Sequence, residues 1–158
     1  MNILVLCTGN SARSIMLESI FNRSGQGRVT AFSAGSQPAG KVHPQSLTLL
    51  AREGYDVSPA RSKSWDEFAE PNAPEMDLVI TVCGSAAGET CPMWPGAPLR
   101  AHWGVEDPAA ASKPEWESAF DEAYRILRKR AEMLLALPIE TMDKATLKQE
   151  LDRIGTLT

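Results

Sequence analysis

The sequence predicts an α/β protein, a four-stranded parallel sheet flanked by helices on both faces. Three observations carry that prediction. Short apolar runs recur at Asn2 to Leu6 and in RVTAFSAG (28–35), MDLVITVC (76–83) and PLRAHWG (98–104). Segments with apolar residues spaced three and four apart alternate with them. Gly- and Pro-bearing stretches punctuate the two kinds, and strands alternating with helices join by right-handed crossovers into a parallel sheet.

Asn2 to Leu6 is almost wholly apolar, the pattern of a strand buried on both faces. Arg13 to Asn22 follows as a helix with Ile15, Met16, Ser19 and Ile20 at helical spacing, and Ser24-Gly25-Gln26-Gly27 stops it. RVTAFSAG, rich in β-branched and aromatic residues, is the second strand and ends at Ser33-Ala34-Gly35, completing a βαβ unit. Pro44 suits the first turn of a helix whose apolar stripe is Leu47, Leu50 and Ala51, with Gly54 where a left-handed cap is expected. A polar, proline-bearing stretch from Tyr55 to Pro74 carries a short helix at Trp65 to Phe68. MDLVITVC and PLRAHWG are the third and fourth strands, and GSAAGETCPMWPGAP (84–98) between them is a loop. The longest helix begins near Pro114. Its stripe is Trp116, Phe120, Ala123, Leu127, Ala131, Leu134 and Leu135, and Glu115, Glu117, Arg125, Arg128, Lys129 and Glu132 form a solvated face. Pro138 ends it, and Leu147, Leu151 and Ile154 mark a terminal helix.

The 158 residues, 43% hydrophobic and 23% charged, fit one compact domain over 1–158. A net charge of −4 and a pI near 5.2 argue against a nucleic-acid partner, which needs clustered Lys and Arg. The apolar start MNILVLC is too short to span a bilayer, and no basic segment or cleavage site accompanies it. A cytoplasmic protein with no membrane partner is expected. Three cysteines, an odd count in a reducing compartment, suit catalysis or redox work better than a disulfide framework.

The stretch CTGNSARS (7–14) joins the first strand to the first helix. A loop there directs several backbone N–H groups at one point, and the helix dipole adds partial positive charge. Gly9 and Asn10 tolerate positive φ, so the chain can curl into an anion-binding nest, and Arg13 offers a two-pronged fork to a tetrahedral oxyanion. Thr8, Gly9, Asn10, Ser11, Ala12, Arg13 and Ser14 are the candidate oxyanion-binding residues. Cys7 lies at the bottom of the nest, where dipole, N–H groups and the Ser11 or Ser14 hydroxyl are expected to lower its pKa. A lone cysteine after an apolar run is ordinarily a small core residue. Here the Gly, Asn, Arg and Ser that follow favour a nucleophile.

C-T-G-N-S-A-R-S resembles the Cys-x5-Arg-Ser phosphate loop of the low-molecular-weight protein tyrosine phosphatase superfamily, as does its place at the N-terminus. FSAGS, His43-Pro44, SKSW, DLVITVC and HWGVEDPA are similar, in the same order, to the arsenate reductase branch, so the resemblance covers most of residues 2 to 135. It implies the phosphotyrosine protein phosphatase I-like fold. It also implies a proton donor, the Asp immediately before Pro, which is Asp107; on sequence alone that Asp reads more readily as a turn or helix-capping residue. Glu106 is the neighbour to exclude.

Cys83 and Cys91 bracket the loop, and each alone is as readily a core or an incidental residue. A metal site is not expected, because they lack CxxC spacing and His43 and His102, read as polar residues near the sheet edge, are remote in sequence. Together with Cys7 they resemble the relay of three-cysteine reductases, with Gly84, Ala86, Ala87 and Gly88 giving the segment freedom. Some members of the family hold a monovalent cation behind the phosphate loop. Asn10, Glu18 and Ser33 match part of that site, no last ligand aligns, and no ion is expected.

The resemblance therefore implies reduction of arsenate to arsenite for arsenic detoxification, with no bound cofactor and an external thiol reductant, either thioredoxin or glutathione with glutaredoxin. The runner-up is a low-molecular-weight tyrosine phosphatase using the same Cys7, Arg13 and Asp107. The loop after Asp107, PAAAS, lacks the aromatic wall a phosphotyrosine pocket wants, and that reading leaves Cys83 and Cys91 without work. A third reading is a noncatalytic anion-binding or thiol-redox sensor.

Overall fold

The computed structural model describes residues 1–83 and 97–158. Strands β1 (Asn2–Cys7), β2 (Thr30–Gly35), β3 (Leu78–Thr81) and β4 (Leu99–His102) form one sheet in the order β2-β1-β3-β4. All pairings are parallel, with Cys7 opposite Gly35, Leu6 opposite Thr81, and Thr81 opposite His102. The helices are α1 (Arg13–Ser24), α2 (Pro44–Arg52), α3 (Trp116–Leu135) and α4 (Lys144–Ile154), with short 3-10 turns at Trp65–Phe68, Pro108–Ala110 and Lys113–Glu115.

The period of two along β1 divides the core. Ile3, Val5 and Cys7 join the larger cluster with Ile15, Ile20 and Phe21 of α1, Phe120 and Leu127 of α3, and Leu151 of α4. Leu4 and Leu6 join Val79, Phe68 and Met76 in the smaller one, so the 3-10 helix Trp65–Phe68 and its flank cover that face. Trp103, just past β4, is fully buried against Phe21 and donates its indole N–H to the Leu151 carbonyl at 2.9 Å. These contacts tie α1 and α4 to the sheet end that carries Cys7.

Two elements depart from their predicted form for physical reasons. β2 begins at Thr30 rather than Arg28, because Val29 N–H turns back to the Gly25 carbonyl and Arg28 reaches the carbonyls of Leu135 and Leu137 and the carboxylate of Glu140. On α2 the buried residues are Ser46, Leu49 and Leu50, while Ala51 is exposed and Leu47 half-buried. The stripe is rotated from Leu47, Leu50 and Ala51 because the inward Ser46 hydroxyl is bonded to the Ser11 carbonyl. Gly54 follows α2 with φ of 85°, the left-handed cap expected there. Among the described residues no helix is long and apolar enough to cross a membrane.

Candidate active site

Cys7 ends β1 beside Gly35, and a Cβ on Gly35 would lie 2.3 Å from the Thr8 carbonyl oxygen. Only glycine lets β2 approach the loop this closely. Thr8 to Ala12 then turns back toward α1, with Asn10 buried at φ of 46°. The loop carbonyls are held from outside. Thr8 accepts from the Gln37 N–H at 3.0 Å, Gly9 from the Ala39 N–H at 2.9 Å and the Ser62 hydroxyl at 3.0 Å, and Ser11 from the His43 N–H at 3.0 Å and the Ser46 hydroxyl at 2.9 Å. With carbonyls drawn outward, amides turn inward. Thr8 N–H donates to Cys83 Sγ at 3.3 Å, and Gly9 N–H bonds the Cys7 sulfur. Helix α1 starts after Ala12 with no side chain capping its first turn, which leaves that turn's N–H groups to a ligand.

A cavity of about 220 Å³ opens onto this arrangement, lined by Cys7, Thr8, Gly9, Ser11, Ala12, Arg13, Cys83, Asp107 and Ala109. Arg13 Nη1 donates to the Val105 carbonyl at 2.8 Å and Nη2 stands 3.7 Å from Asp107 Oδ2. Its Nε is buried and has no hydrogen-bond partner among the described residues. Asp107 accepts the Ala109 N–H at 3.0 Å and so caps the turn Pro108–Ala110, while 44% of its side chain stays exposed. Turn residue and candidate proton donor are therefore the same group.

Cys7 departs from expectation. The Cys83 thiol hydrogen-bonded to it and burial push its pKa up, against the opposing pull of the Arg13 guanidinium and the Gly9 N–H. Two sulfurs in contact share one negative charge, and a second ionisation beside the first is costly.

Of the sequence-predicted residues, Cys7, Arg13, Asp107 and Cys83 meet in this cavity with Thr8, Gly9, Ser11 and Ala12. The side chains of Asn10 and Ser14 bond each other at 2.8 Å behind the loop and do not line it. Glu106 does not line the cavity; it lines a groove beside α3 that Asp107 also borders. Cys91 lies outside the described residues. His43 caps α2, its Nδ1 accepting the Gln45 N–H at 3.0 Å, and its ring lies against Trp116 and Phe120, where burial lowers its pKa against the pull of Asp107. His102 Nδ1 is 2.7 Å from the Thr81 hydroxyl.

Two contributors escaped sequence reasoning. Ser46 tethers α2 to the loop, and its signal was a polar residue at an inward position of a helix. Arg130 is 2% exposed on α3 and donates to the carbonyls of Trp103, Gly104 and Leu157, fixing the segment that leads to Val105 and Asp107. One more charge in a charged helix gave no sequence signal for it.

A parallel sheet whose central strand delivers a cysteine into a phosphate-sized loop, with an arginine opening the helix that follows, defines a class of oxyanion-handling thiol proteins. Residues 2–152 match the low molecular weight phosphotyrosine protein phosphatase family, and the chain belongs to it. Within that family, curated relatives at 33–40% identity are arsenate reductases. It is 40% identical over 124 residues to the arsenate reductase of Bacillus licheniformis, a match covering 78% of this chain and 86% of that one. It superposes with a TM-score of 0.66 and 28% identity on an arsenate reductase in its phosphate-binding state, covering 85% of this chain and 96% of that one. The thioredoxin-dependent arsenate reductase of Corynebacterium glutamicum matches with a TM-score of 0.56 and 27% identity, over 83% of this chain and 61% of that one.

Proposed function

We propose that this protein, acting as one domain in the cytoplasm, reduces arsenate to arsenite through Cys7, Cys83 and Cys91. The observation that carries the reading is the second thiol: Cys83 stands inside the anion cavity, hydrogen-bonded to Cys7. A phosphatase has no use for it there. The relatives named arsenate reductase support the same choice.

Arsenate enters the cavity and takes the inward N–H groups and the unpaired Arg13 Nε. The negative charge of the thiol pair settles on Cys7, whose sulfur attacks arsenic, and Asp107 gives a proton to the departing oxygen, which leaves as water. A Cys7–arsenic bond results. Cys83, whose sulfur accepts the Thr8 N–H at 3.3 Å, attacks Cys7. The sulfur–arsenic bond breaks with its electron pair going to arsenic, which leaves as arsenite, and a Cys7–Cys83 disulfide remains. Cys91 thiolate attacks Cys83, forming Cys83–Cys91 and freeing Cys7 thiolate. A thioredoxin-type dithiol protein is the proposed donor of the two electrons that restore the resting state. The thioredoxin-dependent neighbour supports it over glutathione with glutaredoxin.

Cys91→Ser tests the relay. Without added reductant the variant is expected to release one equivalent of arsenite per protein and stop with a Cys7–Cys83 disulfide. With thioredoxin it should fail to cycle, while the parent, oxidised by arsenate alone, carries Cys83–Cys91 on peptide mapping. Full multiple turnover of the variant with thioredoxin would remove Cys91 from the mechanism.

A further inference from the structure

Arg130 of α3 is 2% exposed, and its partners among the described residues are carbonyls rather than a carboxylate. Nη1 donates to Trp103 at 2.8 Å and Gly104 at 3.1 Å, and Nε donates to Leu157 at 2.8 Å. Burial works against its charged form. A guanidinium is costly to take out of water, and a neutral donor would tie a helix to one loop at less cost. What arginine adds is a rigid planar fork, which reaches two stretches of backbone at a set separation.

Those stretches are the chain that leaves β4 and the strap that follows α4. Trp103 N–H donates to the Thr81 carbonyl at 2.7 Å and Val105 N–H to the Val82 carbonyl at 3.1 Å, so 103–105 runs on beside the end of β3. Gly155 seats the strap against it. A Cβ on Gly155 would lie 2.7 Å from the His102 carbonyl oxygen and 2.8 Å from Trp103 Cδ1, too close for any side chain. After Trp103 and Gly104, the next carbonyl, of Val105, accepts Arg13 Nη1 at 2.8 Å, and Arg13 Nη2 stands 3.7 Å from Asp107 Oδ2. Three successive carbonyls are thus taken by two guanidiniums, and Asp107 follows two residues later.

We propose that Arg130 is a positioning residue for the proton donor: by clamping the Trp103 and Gly104 carbonyls to the Leu157 strap, it fixes the backbone from which the Asp107 carboxyl reaches the departing oxygen. The inference rests on the reading of Asp107 as that donor. The Asp107 side chain adjusts to its ligand, and Arg130 holds the pivot about which it does so.

The measurement is the rate of the first arsenite release at saturating arsenate, in the reduced full-length protein without added reductant. Arg130→Lys keeps a charge but loses the fork, and a single ammonium does not span both stretches. It is expected to lower that rate about tenfold, with phosphate affinity by calorimetry within about twofold of the parent. In an Asp107→Asn chain the same change is expected to cost no more than about twofold, because no acid is left to place. A parental rate in Arg130→Lys, an equal tenfold loss in the Asp107→Asn chain, or a loss of phosphate affinity as large as the loss of rate overturns the inference and leaves Arg130 a structural tie. Should Arg130→Lys not fold, Gly155→Ala takes its place in the same cycle, since its methyl group lifts the strap from its seat. There a loss of about threefold that disappears in the Asp107→Asn chain is expected, and a parental rate overturns the inference. A parental rate in Asp107→Asn alone overturns the reading of Asp107 as the acid, and this inference with it.

Discussion

The two halves of the cavity are held in opposite ways. The loop Thr8 to Ala12 has the carbonyls of Thr8, Gly9 and Ser11 fastened by Gln37, Ala39, Ser62, His43 and Ser46, partners on several other segments. The Asp107 carboxylate is held only by its own turn, through the Ala109 N–H, among the described residues, and stands 3.7 Å from Arg13 with 44% of its side chain exposed. The cradle is fixed before a ligand arrives; the proposed proton donor is free to adjust to one. Arg13 joins them, since its Nη1 holds Val105 two residues before Asp107. Preorganised donors need no rearrangement as charge develops, whereas an acid must follow the leaving atom.

The division can be broken from either side. Cys7→Ser has the largest expected effect: arsenite release falls to the uncatalysed background, because a hydroxyl in the same cradle is a far weaker nucleophile at neutral pH. Phosphate affinity should survive that change, and its loss would mean the cradle depends on the sulfur. Asp107→Asn comes next, with kcat lowered by about 10² to 10⁴ and phosphate affinity nearly unchanged. Steady-state rates of Glu106→Gln beside it should match the parent. The reverse ranking would move the acid to Glu106. Ser46→Ala is the mildest. Losing one tether should cost about 1 kcal/mol of stability and weaken phosphate binding severalfold while leaving the rate at saturating arsenate intact. A fall in that rate with unchanged affinity would show that the loop is not the preset half.

Legibility in the sequence follows the same line. Strands and helices were readable because apolar period reports which face is buried, and β1, buried from Ile3 to Cys7, is the plainest case. Cys7 and Arg13 were readable because their local sequence carries its own chemistry. Long-range bonds were not. The Cys83–Cys7 contact that raises the Cys7 pKa joins residues far apart in the chain, and so do the tethers from Ser46 and Arg130. Asn10 looked like a ligand for the anion, yet its amide is consumed by Lys63 and Ser14. A sequence names the polar groups without saying which side of a loop will claim them.

The tethers also have a bearing on how the chain reaches its native state. Thr8 meets Cys83 across 75 residues, Gly9 meets Ser62 across 53, Ser11 meets Ser46 across 35, and Arg13 meets Val105 across 92. Contacts of such separation carry a large loop-closure entropy, so the cradle is complete only when distant parts of the chain have docked. An oxyanion that fits it has no counterpart site in the unfolded chain, and mass action then favours the folded form. At a hundred times its dissociation constant such a ligand adds about 2.7 kcal/mol. Melting curves recorded with and without phosphate should therefore separate, and the surrounding phosphate concentration becomes a determinant of how long the protein survives in its folded form.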